Sequence, residues 1–196
     1  YDGNYYDDVA SDLQEGPAHP QSAMGSLTAL TYARYKAGVS PIAFVSMDNC
    51  SHNGERIRQA FLTFARAWEE KGYTDAGFTA YIEEKTAFPY SMIDKIVPGP
   101  SPKVQSYLKE CGFADTEYIK AGRSTYALFV NAAPQEYLVI EDTFPNGRPP
   151  LEKAGVIFTD RETVNQCERM KVGTCLNPLH TALAVYGCLL GYVKIS

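Results

Sequence analysis

Strand-like runs stop at Asp160, and that one change of pattern restricts the chain to two kinds of structure in succession. Residues 41–46 (Pro-Ile-Ala-Phe-Val-Ser) form a short apolar, β-rich run bounded by turn residues, the pattern of a buried parallel strand. Residues 137–142 and 154–159 are two further strand candidates on either side of a turn-rich loop. Helical patterns alternate with them. Leu27, Leu30, Tyr32 and Tyr35 suit a helix over 26–36, with Ser26 as cap and Gly38 just past its end; Ile57, Phe61, Phe64 and Trp68 mark one face of a second. Residues 80–85 and a helix capped by Ser101 and running from Pro102 to 111 complete this part, while residues 1–25 read as irregular. Beyond 160 only helical signals remain, ending in an apolar helix over 181–191 with almost no polar face. The expectation is an α/β part over residues 1–160 followed, over 161–196, by the first helices of a mainly α-helical part.

With 196 residues, 45% of them hydrophobic, the chain can bury a sizeable core. A net charge of -5 with acids and bases intermixed provides no basic patch, which argues against nucleic acid and anionic membrane as partners. No run of about 18 apolar residues and no signal-peptide pattern occurs, so a soluble cytoplasmic protein is expected. Five cysteines without a Cys-x-x-Cys pair suit neither a disulfide framework nor a zinc site. They are expected reduced and mostly buried, Cys175 alone lying beside candidate chemistry. Because the chain starts at Tyr1 and not at methionine, it is expected to be a portion of a longer protein.

Lys171-Val-Gly-Thr-Cys-Leu-Asn-Pro-Leu-His180 puts an amine, a carboxamide and an imidazole within ten residues, directly before the apolar helix. Desolvation disfavours an ammonium, so a lysine beside a buried surface can serve as a general base or a Schiff-base nucleophile. The plainer alternative makes Lys171 a solvated residue at a helix end and Asn177 the N-cap before Pro178. Nine residues at about 100° each would set Lys171 and His180 on opposite sides of one straight helix. Gly173 and Pro178 are therefore expected to break it, leaving two helical pieces that meet at a corner. A second polar stretch, Ser46-Met-Asp-Asn-Cys-Ser-His-Asn-Gly54, follows the first strand at its carboxyl end, where ligands of open α/β sheets bind. Asp-Asn and Asn-Gly are equally ordinary turn formers. Asp94, in Phe88-Pro-Tyr-Ser-Met-Ile-Asp-Lys-Ile-Val-Pro98, reads on pattern alone as a surface partner of Lys95, and Arg148 is the only cation of the loop over 144–150.

The run Glu168-Arg-Met-Lys-Val-Gly-Thr-Cys-Leu-Asn-Pro-Leu-His180, with Gly187-Cys-Leu-Leu-Gly-Tyr192 behind it, resembles the polyol-specific long-chain dehydrogenases, the mannitol dehydrogenase and fructuronate reductase family. The Asp48-Asn49 pair followed by Asn53-Gly54, the 88–98 segment and the 144–150 loop resemble three further family motifs in the same order, so the resemblance covers roughly residues 26–196. It implies the C-terminal part of a Rossmann-like nucleotide domain followed by the start of a mainly α-helical domain. It also implies metal-independent interconversion of a ketone and a secondary alcohol on an open-chain sugar acid or polyol, with NAD or NADP as cofactor. By the same resemblance Lys171 is the general acid/base, Asn49 and Asn177 polarise the reacting oxygen, and His180 binds the reacting hydroxyl. Asp94 lies near substrate and cofactor, and Asn49 contributes to the cofactor side. The spacing from Lys171 to Asn177 is one residue longer than in the mannitol dehydrogenases, which favours the uronate-reducing branch. No family role attaches to His52.

A dinucleotide enzyme needs a Gly-x-Gly-x-x-Gly-like turn between a strand and a helix. None occurs here, so much of the catalytic wall and little of the phosphate cradle is expected within these residues. Two competing readings remain: an aldolase-like lyase with Lys171 as Schiff-base nucleophile, and a non-catalytic helical interaction module in which the motif residues are caps and turns.

Overall fold

The computed structural model of the chain describes residues 6–93, 99–130, 132 and 137–192. In chain order its elements are α1 (Asp7–Glu15), α2 (Ala23–Lys36), α3 (Asn53–Glu70), α4 (Ala76–Glu84), β1 (Ser91–Met92), α5 (Pro102–Glu110), β2 (Ile119–Ala121), β3 (Ser124–Tyr126), β4 (Val139–Glu141), a 3-10 turn (Leu151–Ala154), β5 (Ile157–Thr159), α6 (Arg161–Glu168), a π-helix (Arg169–Leu176) and α7 (Asn177–Leu189). Two compact units result, residues 94–137 and the remainder.

The larger unit is built on α3. Phe61, Phe64, Ala65 and Trp68 recur at helical spacing, and all four are buried together with Leu13, Leu62, Phe78, Ile82 and Phe88. Each such side chain contributes about 1.5–3 kcal/mol by leaving water. Trp68 gives its indole N–H to the carbonyl of Asp12 at 2.8 Å, so its one polar atom is satisfied inside the core. The α1 helix corrects the expectation that residues 1–25 are irregular: nine residues with two apolar anchors, Val9 and Leu13, show too little periodicity to be read, yet both pack on the core. Its chain continues into a tight corner. The buried carboxylate of Asp12 accepts from the N–H groups of Gln21 and Ser22 at 2.7 and 2.8 Å and from the Ser22 hydroxyl at 2.6 Å, while Ser22 Oγ accepts from Gly25 N–H at 3.0 Å. Ser22, not Ser26, is thus the cap of α2.

The sheet is smaller than the sequence suggests. β4 pairs parallel with β5 and antiparallel with β1. The expected first strand over 41–46 is extended but joins its neighbour only by a parallel bridge from Ala43 to Ala87. Past that bridge its backbone is held by side chains instead, since Ser46 O accepts from the Ser91 hydroxyl and from the Asn53 amide. Buried Glu141 on β4 accepts from Tyr90 N–H at 3.0 Å and from the Arg161 guanidinium at 3.1 Å, joining the sheet to the first residue of α6. Arg161 in turn lies 4.4 Å over the Tyr90 ring.

In the smaller unit α5 begins at Pro102 as expected, although Ser101 makes no side-chain capping bond. A hairpin of β2 and β3, unassigned from the sequence, turns through Gly122 at φ 59°. Gln105 gives its amide N–H to Thr116 O at 2.7 Å, tying the helix to the chain that enters the hairpin.

Candidate active site

Residues 46–52 form a loop between the 41–46 run and α3, and its shape is set by Asn53, by its sequence an ordinary turn former. Asn53 is buried, with its amide nitrogen 2.8 Å from Asp48 O and 3.0 Å from Ser91 O, and its amide oxygen accepting from Ser91 N–H at 3.1 Å. Gly54 is required beside it. A Cβ there would stand 2.4 Å from Phe88 O, so only glycine lets the start of α3 approach the 88–90 backbone this closely. The Asp48 carboxylate accepts from Cys50 N–H at 3.1 Å, which closes the turn around Asn49. Asn49 itself is exposed, carried outward by a turn anchored on buried Asn53. His52 ends the loop at φ 54°, a left-handed conformation uncommon outside glycine, with its ring 5.7 Å from that of Tyr90. Burial, with the Asp48 charge adding to it, holds the Cys50 thiol above its ordinary pKa.

The Lys171–His180 stretch lies on one uninterrupted helix, which corrects the expectation of a corner. Glu168, Arg169, Leu176 and Asn177 all have right-handed helical backbone, so α6, the π-helix and α7 are continuous from 161 to 189. Asn177 is an interior residue and caps nothing. Its N–H bonds Val172 O, five residues back, and the Thr174 hydroxyl donates to Arg169 O, also five back, at 2.9 Å. Pro178 follows this run in the first turn of α7 and offers no N–H. A turn of larger radius accommodates the ring where a break was expected.

The two stretches meet. The Ser51 hydroxyl donates to Glu168 Oε1, and His52 N–H approaches Glu168 Oε2 at 3.5 Å. The loop bearing Asn49 is therefore fastened to the residue three positions ahead of Lys171. Lys171, Asn177 and His180 are all exposed on the helix, which corrects the expectation of a buried setting. Gly173, Asn177, Thr181, Ala182, Val185 and Tyr186 share one face of it and line a shallow concavity. Nothing among the described residues covers α7, where Leu183, Leu189 and Leu190 are 53, 77 and 75% exposed. For the same reason Cys175 and Cys188 are exposed; Cys111 is exposed as well, Cys50 and Cys167 are half-buried, and all five are free thiols. Asp94 lies outside the described residues.

Arg148 is resolved as a loop clamp. Its guanidinium donates to Asp142 at 2.8 and 3.1 Å and to Glu152 at 2.6 Å, and lies 3.4 Å from the centre of the Phe158 ring. The hydrogen bond it gives to Asp142, joined by that to Glu152, holds it above the ordinary arginine pKa, and Asp142 is correspondingly lowered by accepting from Arg148. Among the described residues no group of three or more His, Cys, Asp or Glu side chains is placed to hold a metal ion, and no helix is long and apolar enough to cross a membrane. A pyrophosphate finds no glycine-rich turn here, whereas the exposed Asn49 carboxamide, at the carboxyl end of an extended run, has the donor chemistry for a carbonyl oxygen or a nicotinamide.

Residues 12–153 match the mannitol dehydrogenase Rossmann domain family, and the chain belongs to that family. It is 51% identical over 197 aligned residues to the D-mannonate oxidoreductase of Thermotoga maritima, covering 99% of this chain and 36% of that protein. The mannitol 2-dehydrogenase of Cereibacter sphaeroides is 34% identical over 183 residues, 93% of this chain and 34% of its own. Among solved structures, D-sorbitol dehydrogenase in substrate-free form superimposes with a TM-score of 0.74 at 32% identity, covering 95% of this chain and 34% of that one. The Pseudomonas fluorescens mannitol 2-dehydrogenase in ternary complex with NAD and D-mannitol gives 0.72 at 32% identity, with 97% and 35% coverage. The chain thus spans about a third of the length of the relatives it matches.

Proposed function

We propose that the complete protein is a metal-independent, NAD(P)-dependent oxidoreductase that interconverts a keto-uronate and the corresponding aldonate, as a D-mannonate oxidoreductase does, with mannitol- and tagaturonate-type substrates as the alternatives. A bound nicotinamide supplies the hydride to the carbonyl carbon. Lys171 gives a proton to the carbonyl oxygen in reduction and takes it back in oxidation. Asn49 and Asn177 donate hydrogen bonds to that oxygen as negative charge develops, and losing one such donor typically costs about 100- to 1000-fold in kcat. His180 binds the reacting hydroxyl and sets its orientation. Asp94 contributes to the binding of substrate and cofactor. In this reading residues 1–160 carry the nucleotide side and 161–196 open the helical substrate domain of a cytoplasmic enzyme.

The observation that carries the proposal is the fastening of Ser51 and His52 to Glu168, because it brings the Asn49 loop to the helix of Lys171 across more than a hundred residues of chain. NADH oxidation by the complete protein, measured against fructuronate, tagaturonate and fructose, is the direct test. Turnover is expected with a keto-uronate. Lys171→Ala is expected to lose several orders of magnitude in kcat and to recover part of it with small primary amines. Near-normal turnover in that variant, or a borohydride-stable adduct of wild-type Lys171 with the carbonyl substrate, would remove the assignment.

A further inference from the structure

The geometry points to the π-helical run Arg169–Leu176 as a phase-setting device: it absorbs one residue so that Lys171, Asn177 and His180 keep the angular relation that a one-residue-shorter α-helix would give them. This inference rests on the catalytic roles proposed above for those three side chains. In an α-helix of about 100° per residue, six steps would carry Asn177 about 240° around the axis from Lys171, and nine would set His180 diametrically opposite it. A turn closed by bonds to the fifth residue back takes a little over four residues, about 85° per step. Six such steps leave Asn177 about 150° from Lys171, and three ordinary steps then leave His180 about 90° away.

A regular α-helix lacking one residue between Lys171 and Asn177 gives nearly the same angles, about 140° and about 80°. The wide turn and the additional residue therefore cancel. Two bonds that reach five residues back mark where this happens, from Asn177 N–H to Val172 O and from the Thr174 hydroxyl to Arg169 O. Where other threonine hydroxyls bond a carbonyl of their own helix they reach four back, as Thr28 to Met24, Thr31 to Leu27, Thr63 to Gln59 and Thr181 to Asn177 do. What matters in this segment is the count of residues, with the identity of any one of them secondary.

Deletion of Gly173, of Thr174 or of Cys175 in the complete protein tests the count directly. All three are expected to behave alike, keeping kcat with the keto-uronate within about tenfold of wild type, whereas inserting one alanine after Gly173 misplaces the groups and costs about 100-fold or more with the KM for NADH unchanged. Crystal structures of the deletion variants are expected to show an α-helix through this segment with the separation of Lys171 and Asn177 kept within about 1 Å. Deletions that fold but lose activity to the same degree as the insertion, deletions that differ widely from one another, or failure of all three to fold would each overturn the proposal. Should the wild-type enzyme turn over no substrate of the panel, the catalytic reading fails, and the Lys171 to Asn177 separation in the deletion structures still decides whether the run sets the phase.

Discussion

At the scale of single residues, Asp12 holds the corner between α1 and α2, and the Asn53–Gly54 pair holds the loop that bears Asn49. Burial pushes the Asp12 carboxyl upward, but the hydrogen bonds from the Ser22 hydroxyl and from the Gln21 and Ser22 N–H groups outweigh it and leave the carboxyl below its ordinary pKa. The stability it contributes is accordingly complete above the unfolded-state value of about 3.9 and is lost as pH falls through the lower folded-state value. Asp12→Asn is therefore expected to lower the urea midpoint of the complete protein by a constant amount from pH 5 to 8, with the gap to wild type closing below about pH 4. A gap that stays constant into acid would show that the charge contributes nothing. Gly54→Ala is expected to destabilise by about 1–3 kcal/mol, because its Cβ meets Phe88 O in backbone that cannot yield cheaply. The same variant displaces the loop of Asn49, so kcat falls further than the loss of stability explains. Unchanged kcat in folded protein would separate the loop from catalysis.

At the scale of elements, the junction of sheet and helix rests on Glu141 and Arg161. A buried carboxylate that keeps only its bond from Tyr90 N–H is poorly compensated, yet Arg161 is half-exposed and its loss is softened by water. Arg161→Met is expected to cost about 1–2 kcal/mol, and Glu141→Gln, which keeps shape and lets an amide face Arg161, to cost less. Urea midpoints of the two variants at pH 7 rank them, and the reverse order would mean that the junction rests on the Glu141 carboxylate more than on the Arg161 guanidinium. The Arg148 clamp works on the neighbouring loop in the same way, by satisfying two carboxylates and covering a ring with one guanidinium.

At the scale of the whole molecule, α7 exposes apolar side chains on every side, which a soluble monomer rarely tolerates. The isolated 196-residue chain is expected to bind the dye ANS strongly and to self-associate, and Leu183→Glu with Leu190→Glu to abolish both. In the complete protein the same pair is expected to lower Tm by several degrees, since the residues beyond this chain's share of the family length are expected to cover that helix. An unchanged Tm would leave α7 exposed in the complete protein as well. The sequence alone determined what repeats locally: the apolar stripe of α3, the start of α5 at Pro102, the strands near 139 and 157, and the amine, carboxamide and imidazole gathered between Lys171 and His180. These follow from side-chain spacing and from backbone rules that act over a few residues. Only the tertiary structure decided the rest. α1 exists because Val9 and Leu13 find a core made by later helices, and Asn53 is a staple because Ser46, Asp48 and Ser91 surround it. The helix passes Pro178 through a widened turn where local rules would break it, and Glu168 takes up a loop more than a hundred residues earlier. Each depends on which distant groups become neighbours, and no spacing within one segment carries that information.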